Sequence, residues 1–185
     1  MIISRVWSMP NSETFSIPPI RAFVEKYLAK CPISVDPFAR NFNGATFTND
    51  LNPNTAAQYH MDATEFMKKL ADTDMEGKAD LVIIDPPYSP RQVKECYDGI
   101  GVKMKQGDAL GKIRGDMKVQ IDRLLNETGV ALFFGWNTNG MGKKYKFEIE
   151  EILLVAHGSD HNDTICMAER RTNPPDSLLH PPATL

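Results

Sequence analysis

The sequence predicts an α/β fold built on a doubly wound, mostly parallel sheet. Short apolar runs that suit buried strands alternate along the chain with segments of helical period. Several of these strands end in an aspartate, and open parallel sheets bind their ligands at the carboxyl ends of strands. The last two apolar runs, 147–158 and 163–170, are joined by a short polar turn. These two strands must therefore be antiparallel to each other.

The first half of the chain supplies alternating helices and strands. Its predicted elements are a helix over 19–30, a strand over 33–36, a strand within 45–53, a helix over 61–73 and a strand over 80–84. The three strands or the turns after them end in Asp36, Asp50 and Asp85, and Asp62 opens the second helix. Each aspartate alone suits a helix cap or turn. Together they favour a ligand-binding edge.

The second half continues the alternation around a basic segment. Its predicted elements are helices over 90–98 and about 116–127, then strands over 129–136, 147–158 and 163–170. Between Arg91 and Lys118 there are seven basic and four acidic residues. We expect a single domain over 1–170, in which 89–128 is a substrate-facing insert. A proline-rich tail over 171–185 follows.

Composition is that of a soluble globular protein, with 185 residues, 42% hydrophobic content and a net charge of −3. This charge argues against a protein that holds nucleic acid by bulk charge alone. No apolar run approaches the roughly 20 residues of a membrane span, and the N-terminus lacks a signal-peptide pattern. Three widely spaced cysteines match no disulfide or zinc pattern, so we expect a cytoplasmic protein. Cys96 and Cys166 lie in segments of apolar period, so we expect both in the core.

Two smaller patterns need an interpretation. His157 and His161 are spaced as H-x-x-x-H, but they fall between two strands rather than on one helix face. We interpret them as part of a polar hairpin turn and predict no metal site. Trp7, Met9 and Pro10 form either an N-terminal lid over a ligand or part of an extra strand, and the sequence leaves both alternatives open.

The tetrapeptide Asp85-Pro86-Pro87-Tyr88 follows the most apolar strand of the first half. Two prolines fix φ near −65° and remove competing N–H donors, so the Pro86 carbonyl is held in one direction. The segment is either a turn that ends the strand with Tyr88 packed on the core, or a rigid receptor for a flat amine. In the second interpretation Asp85 and the Pro86 carbonyl each accept one N–H, and Tyr88 stacks on the ring.

Five segments in order, SVDPF, TNDLNP, MDATEF, LVIIDPPY and ALFFGWNTNG, resemble the motifs of the S-adenosylmethionine-dependent DNA adenine-N6 methyltransferases. The resemblance is to the amino-methyltransferases with a DPPY motif, including small ones carried by bacteriophages, and it covers residues from about 7 to 170. It implies a Rossmann-like class I fold, S-adenosylmethionine as cofactor and DNA as substrate, with RNA possible. It also implies a bacterial or phage-infected host cytoplasm and a role of the restriction–modification kind.

The resemblance assigns roles to residues. Asp36, Pro37 and Phe38 match the loop that approaches the methionine part of the cofactor. Asp50 matches the acid that binds the ribose hydroxyls, and Asp62 with Ala63 matches the segment that contacts the adenine. The catalytic tetrapeptide is Asp85, Pro86, Pro87 and Tyr88.

The remaining roles concern the cofactor lid and the substrate. Residues 11–20 are the loosest match, to the motif that closes over the methionine moiety, and Met9 and Pro10 extend this lid. Phe134 and Trp136, within the segment Phe133–Trp136, shape the target-base pocket with Tyr88. Arg91, Lys103 and Lys105 are the basic residues expected to contact nucleic acid.

One loop departs from the family pattern. The family's first loop has the form DPFxGxGT, whereas this chain has DPFARNFNG with Gly44 as its one glycine. Glycine permits positive φ and close backbone approach, so Arg40 and Asn41 must change the geometry of the loop. The cofactor edge is therefore either weakened or rebuilt by the N-terminal segment.

Other functions stay open on the sequence alone. The same residues could methylate adenine in RNA, the N4 amine of cytosine or a protein glutamine amide. A protein of another class would be a methyltransferase-like nucleic-acid-binding protein that holds no cofactor. The acid at the first position of the tetrapeptide favours adenine by analogy, and the sequence indicates neither a target site nor an oligomeric state.

Overall fold

The structure, a computed structural model, describes residues 1–101, 110–158 and 161–172. Strands and helices alternate through most of the chain. In chain order they are β1 (Ile2–Trp7), α1 (Pro18–Leu28), β2 (Ser34–Asp36), β3 (Phe47–Thr48), α2 (Ala63–Ala71), β4 (Ala79–Ile84), α3 (Pro90–Gly99), α4 (Leu110–Leu124), β5 (Leu125–Gly135), β6 (Phe147–Ala156) and β7 (Thr164–Arg171), with short 3-10 helices at Thr14–Ser16 and Lys143–Tyr145.

The strands form one seven-stranded sheet in the order β1-β6-β7-β5-β4-β2-β3. The pairs β1–β6, β2–β3, β2–β4 and β4–β5 are parallel. Strand β7 is antiparallel to both of its neighbours, β5 and β6. The predicted doubly wound, mostly parallel sheet with an antiparallel C-terminal strand is therefore confirmed.

The order of strands reverses beside β2. The chain passes from β2 to β3 on one side and returns to β4 on the other. Helices that leave neighbouring strands in opposite directions open a crevice between them, and ligands of doubly wound sheets bind there. Asp36 ends β2 and Asp85 follows β4, so both aspartates lie at this crevice.

Strand β4 is buried on both faces of the sheet. Val82 and Ile84 belong to the hydrophobic cluster that packs against α2 and α4. Leu81 and Ile83 belong to the cluster on the opposite face, against α1 and the 3-10 helix at Thr14–Ser16. Alternate side chains of a strand point to opposite faces, which explains why an unbroken apolar run was needed here.

The N-terminal residues form an edge strand. Strand β1 pairs in parallel with β6, and all six of its residues are exposed. Of the two alternatives for this segment, the structure shows the extra strand for Trp7. The described residues include no helix long and apolar enough to cross a membrane.

The predicted insert over 89–128 contains two helices of different character. Helix α3 buries only Val93, and Cys96 is exposed, so the prediction that Cys96 is a core residue was wrong. Cys166 is buried as predicted. Helix α4 ends at Leu124 rather than near 127, because Leu125 already pairs with Ala79 in the sheet.

The second half of α4 belongs to the core. Met117, Ile121 and Leu124 pack in the same cluster as α2. Thus only the part of 89–128 before this half is left to face a substrate. Lys103 and Lys105 lie outside the described residues, as does the predicted tail beyond Thr172.

Candidate cofactor and substrate site

A cavity of about 300 Å³ opens at the carboxyl edge of the sheet. Its walls are the N-terminal segment 13–16, the loop 38–43 and the side chain of Asp85. Small-molecule sites usually have volumes of roughly 300–1,000 Å³. The cavity therefore brings three parts of the predicted site together, the lid segment, the first loop and the tetrapeptide.

Asp36 is fully buried at the end of β2. Its Oδ1 accepts the N–H of Phe38 at 3.0 Å, but its Oδ2 has no hydrogen-bond partner in the part of the chain that the structure describes. Burial raises the pKa of this carboxyl well above its ordinary value, and the Phe38 N–H lowers it in part. A buried polar atom without a partner is costly. Asp36 is not among the residues that line the described cavity, so it lies beneath the site rather than in its wall.

Asp50 lies in the turn after β3 and accepts two backbone hydrogen bonds. The N–H of Asn52 donates to Oδ1 at 2.8 Å, and the N–H of Arg40 donates to Oδ2 at 3.1 Å. These bonds fix the carboxylate between the loops that follow β2 and β3. A carboxylate oxygen accepts more than one hydrogen bond, so both oxygens keep capacity for ribose hydroxyls.

Asn49 is a structural residue of the site that the sequence analysis missed. Its buried amide donates to the carbonyls of Pro37 at 3.2 Å and Met61 at 2.9 Å, and accepts the N–H of Met61 at 3.1 Å. One side chain thus joins the loops that follow β2 and β3 to the segment before α2. A signal was available, because the chain places this polar residue directly before Asp50 at the end of an apolar strand.

Asp62 caps α2. Its Oδ1 accepts the N–H of Thr64 at 2.9 Å and of Glu65 at 3.1 Å, which satisfies two donors at the start of the helix. The neighbouring Ala63 is buried in the core beneath the helix. The local role of Asp62 is therefore structural, and its contact with the cofactor adenine stays a prediction.

Asp85 is a half-buried carboxyl that accepts hydrogen bonds from neighbouring side chains. The Tyr88 hydroxyl donates to Asp85 Oδ1 at 2.5 Å, and the Thr14 side chain also hydrogen-bonds to this carboxyl. Burial raises the pKa of Asp85 to about 6, while the bonds from Tyr88 and Thr14 and the charge of Arg40 lower it. The carboxyl is thus ionised at neutral pH but changes its protonation state just below it.

Tyr88 forms a half-buried aromatic pair with Trp136. Their ring centroids are 5.8 Å apart with an interplanar angle of 68°, and Trp136 is 41% exposed. Gln92 accepts the Tyr88 N–H at 2.6 Å, which fixes the backbone where α3 begins. Tyr88 also packs against the core on one side. Tyr88 therefore packs on the core, as in the first interpretation of the tetrapeptide, and also places its ring beside an exposed aromatic side chain, as the second requires.

The predicted substrate residues have different positions. Phe134 is 5% exposed and lies edge-on to Phe15 at 5.1 Å, because its face of β5 is covered by α1 and the 3-10 helix. Phe134 is therefore a core residue beneath the site and offers no exposed face to a base, contrary to our expectation. Arg91 lies on the first turn of α3 and pairs with Glu95 at 2.8 Å.

The N-terminal segment crosses the cavity after β1. Met9 is 67% exposed and, like Pro10, is not among the residues that line the described cavity, so the predicted lid begins later in the chain. Glu13 to Ser16 line it instead. Phe15 anchors this part by packing edge-on against Phe42 at 5.0 Å.

His157 has a structural role. Its buried ring places Nδ1 2.9 Å from the Ser8 carbonyl oxygen and Nε2 2.9 Å from the Thr164 hydroxyl oxygen, joining the end of β1 to the start of β7. Within residues 1–101, 110–158 and 161–172, no group of three or more His, Cys, Asp or Glu side chains could hold a metal ion.

No protein-family model and no curated protein matches the chain. Solved methyltransferase structures do resemble it. The 1,6-didemethyltoxoflavin-N1-methyltransferase of Burkholderia thailandensis, with 1,6-didemethyltoxoflavin and S-adenosylhomocysteine bound, aligns with a TM-score of 0.53 and 13% identity, over 84% of this chain and 77% of that one.

Two further structures align at a similar level. The putative methyltransferase yhhF from Escherichia coli has a TM-score of 0.51 and 9% identity, over 89% of this chain and 92% of its own. SMU.776, a putative methyltransferase complexed with S-adenosylhomocysteine, has a TM-score of 0.52 and 13% identity, over 81% of this chain but 49% of its own. The chain therefore has the Rossmann-like fold that these methyltransferases share.

Proposed function

We propose that the protein transfers a methyl group from S-adenosylmethionine to the N6 amine of adenine in DNA. The observation that carries this proposal is the position of Asp85 and Tyr88, which stand at the carboxyl end of β4, beside the crevice and the cavity. This is where a sheet of this kind binds its ligands. The methyltransferase fold and the bound S-adenosylhomocysteine of two structural neighbours support the choice of cofactor.

The residues at the crevice fit the chemistry of S-adenosylmethionine. The unpartnered Oδ2 of Asp36 can accept a hydrogen bond from the amine of its methionine part. The Asp50 carboxylate, already positioned by two N–H groups, can accept from the ribose hydroxyls. When bound, this cofactor supplies an electrophilic methyl group on a sulfonium sulfur.

Asp85 and Pro86 would activate the substrate amine. The lone pair of an exocyclic amine is delocalised into the ring, so the nitrogen must become tetrahedral before it attacks. Asp85 and the Pro86 carbonyl can each accept one N–H and so favour the tetrahedral nitrogen over the planar one. Preorganised acceptors aimed at developing positive charge usually make the largest contribution to catalysis.

Tyr88 and Trp136 would hold the base. An aromatic face is worth about 1–3 kcal/mol per stacked base, and extrusion of a base from a duplex costs a few kcal/mol. The exposed Trp136 ring beside Tyr88 therefore offsets much of that cost. Arg91, Lys103 and Lys105 are proposed to contact the phosphates.

A second candidate is methylation of a free heteroaromatic amine. The observation in its favour is the Burkholderia enzyme, whose bound 1,6-didemethyltoxoflavin is a small molecule. The aromatic pair and Asp85 would serve this substrate equally well, whereas the basic segment after residue 90 would have no part in it.

The test is transfer of a tritiated methyl group from S-adenosylmethionine into unmethylated DNA, RNA, protein or free adenosine. We expect incorporation into DNA. In Asp85→Ala the rate of incorporation should fall by a factor of about 10²–10³. Asp74→Ala is the matched control, because Asp74 is an exposed acid in the turn after α2 that pairs with Lys78 in the described part of the chain. Incorporation into RNA, protein or adenosine alone would show that this molecule, and not DNA, is the substrate. Equal incorporation by Asp85→Ala and the wild type would show that Asp85 has no part in the mechanism.

A further inference from the structure

Arg40 occupies an unusual position in the loop after β2. Its φ of 49° lies in the left-handed region, which residues other than glycine adopt at an energetic cost. A long cationic side chain therefore stands at a backbone position that glycine adopts more readily. A residue that is costly in this conformation is expected to provide a compensating interaction.

The Arg40 side chain extends along the cavity toward the N-terminal segment. Its Nη1 donates to the carbonyl of Ser12, and its Nη2 lies 3.5 Å from Oε1 of Glu13. Arg40 and Glu13 both line the cavity with Asp85. The guanidinium thus stands at the same cavity as the catalytic carboxylate, between the lid segment and the first loop.

The contact with Glu13 is of a kind that a ligand can replace. At 3.5 Å it is an ion pair rather than a short hydrogen bond, and the two side chains are 48% and 40% exposed. Exposed ion pairs of this type contribute little to stability. A guanidinium presents five N–H donors in a planar fork that matches a carboxylate, and a ligand carboxylate can use this fork in place of Glu13.

We propose that Arg40 binds the carboxylate of the methionine part of S-adenosylmethionine and that Glu13 competes with this carboxylate for the guanidinium. This inference rests on the proposed function, since it requires a cofactor with an amino-acid group. Glu13 is then an internal competitor of the cofactor carboxylate. Arg40 would then contribute a side-chain contact to cofactor recognition in the first loop.

Arg21 is the other arginine that lines the cavity, and its surroundings explain why it is not chosen. Its Nε donates to Glu25 at 2.7 Å on the same helix, and its guanidinium lies over the Phe42 ring at 5.9 Å. It is already held on α1. Arg21 therefore provides a matched control of equal charge at the same cavity.

The test compares two ligands by calorimetry in the full chain. S-adenosylhomocysteine has the amino-acid group, and 5′-methylthioadenosine has the same nucleoside and a thioether but no carboxylate. For Arg40→Gln we expect S-adenosylhomocysteine to bind about tenfold more weakly and 5′-methylthioadenosine to change by less than about twofold. For Glu13→Gln we expect S-adenosylhomocysteine to bind about two- to fivefold more tightly.

Two further variants separate this role from an effect on the loop. Arg40→Gly removes the side chain and relieves the left-handed φ, so it should stay folded and reduce the preference for S-adenosylhomocysteine as much as Arg40→Gln does. Arg21→Gln should leave both affinities within about twofold of the wild type. An equal loss for both ligands in Arg40→Gln and Arg40→Gly would show that Arg40 acts on the loop and would overturn the inference.

The outcome for the wild type distinguishes this inference from the proposed function. If the wild type binds both ligands, and neither Arg40→Gln nor Glu13→Gln changes their ratio, the inference alone is wrong. If the wild type binds neither ligand at millimolar concentration, the proposed function fails and the inference fails with it.

Discussion

Asp85 is the residue at which the proposed catalytic role and stability oppose each other. Burial raises its pKa to about 6 from 3.8, so keeping the carboxylate ionised above pH 6 costs folding free energy. The cost is on the order of 1–3 kcal/mol. An ionised acceptor is nevertheless what an incoming amine requires, and functional sites commonly retain such destabilising groups.

The first prediction concerns Asp85→Asn and pH. Between about pH 4 and 6 the folded wild type binds a proton that the unfolded chain releases, so wild-type stability falls as pH rises through this window. Asparagine carries no charge and can still accept from Tyr88. We therefore expect urea unfolding to show the variant more stable than the wild type at pH 7.5, by on the order of 1–3 kcal/mol, and nearly equal to it at pH 4.

Asp74→Asn is the control, because this exposed carboxylate should give a similar small difference at both pH values. In the wild type, methyl transfer should fall as pH falls through about 6, since a protonated Asp85 no longer offers a charged acceptor. A stability difference for Asp85→Asn that does not change with pH would contradict the assigned cause.

The second prediction separates the ring of Tyr88 from its hydroxyl. The hydroxyl donates to Asp85 Oδ1, where it competes with a substrate N–H, while the ring faces Trp136. Tyr88→Phe keeps the ring, and we expect its kcat/KM to stay within about threefold of the wild type. Tyr88→Ala should lose about 10- to 100-fold, the value of one stacked base. Equal losses in both variants would indicate that the hydroxyl, and not the ring, matters.

Among the elements, α2 offers a test of a residue with two possible roles. Asp62→Ala removes the cap from two N–H groups and should lower the free energy of unfolding by about 1 kcal/mol. Asp62→Ser supplies a hydroxyl cap without the charge, so its stability should match the wild type. If Asp62 also contacts the cofactor, Asp62→Ser should still bind S-adenosylhomocysteine more weakly. Unchanged affinity in Asp62→Ser would leave the aspartate as a cap alone.

The sequence was sufficient for the elements that local periodicity determines. The buried strand before Asp85 and the helix opened by Asp62 are both confirmed. Both were predictable because apolar spacing and helix caps depend on residues close together in the sequence. Phe134 is a residue whose burial the local sequence pattern could not predict. Alternation along β5 places it opposite Phe133, but only the packing of α1 determines which of the two faces is closed.

The same limit applies to the site. The aspartates at strand ends could be placed at one edge, since parallel strands end together. The contacts between Glu13 and Arg40 and between Asn49 and Met61 join segments that are distant in sequence. No periodic pattern encodes such pairs, so the closing of the cavity by residues 13–16 rather than by Met9 and Pro10 emerged only from the structure.

At the scale of the whole molecule, the site lies between the middle of the sheet and the N-terminal segment. β4 is enclosed by β2 and β5 in the middle of the sheet, so Asp85 is held by fixed strands. The opposite wall is the N-terminal segment, which follows the exposed edge strand β1 and is attached through Arg40 and Phe15. A ligand in the cavity would join the two sides.

The last prediction follows from this connection. A ligand that binds only the folded chain stabilises it by about 2.7 kcal/mol at a concentration of 100 times its Kd. For a domain of this size, 1 kcal/mol moves the midpoint of thermal unfolding by about 2–4 °C. We therefore expect S-adenosylhomocysteine at 100 times its Kd to raise Tm by roughly 5–11 °C, measured by calorimetry or circular dichroism.

The control uses Arg40→Gln, whose Kd for S-adenosylhomocysteine should be higher. At the same absolute concentration its Tm should rise less than that of the wild type, but at the same multiple of its own Kd the two shifts should agree. This agreement holds because the stabilisation depends only on the ratio of free ligand to Kd. Disagreement at matched ratios would show that the ligand also binds the unfolded chain or that Arg40→Gln alters the folded state itself.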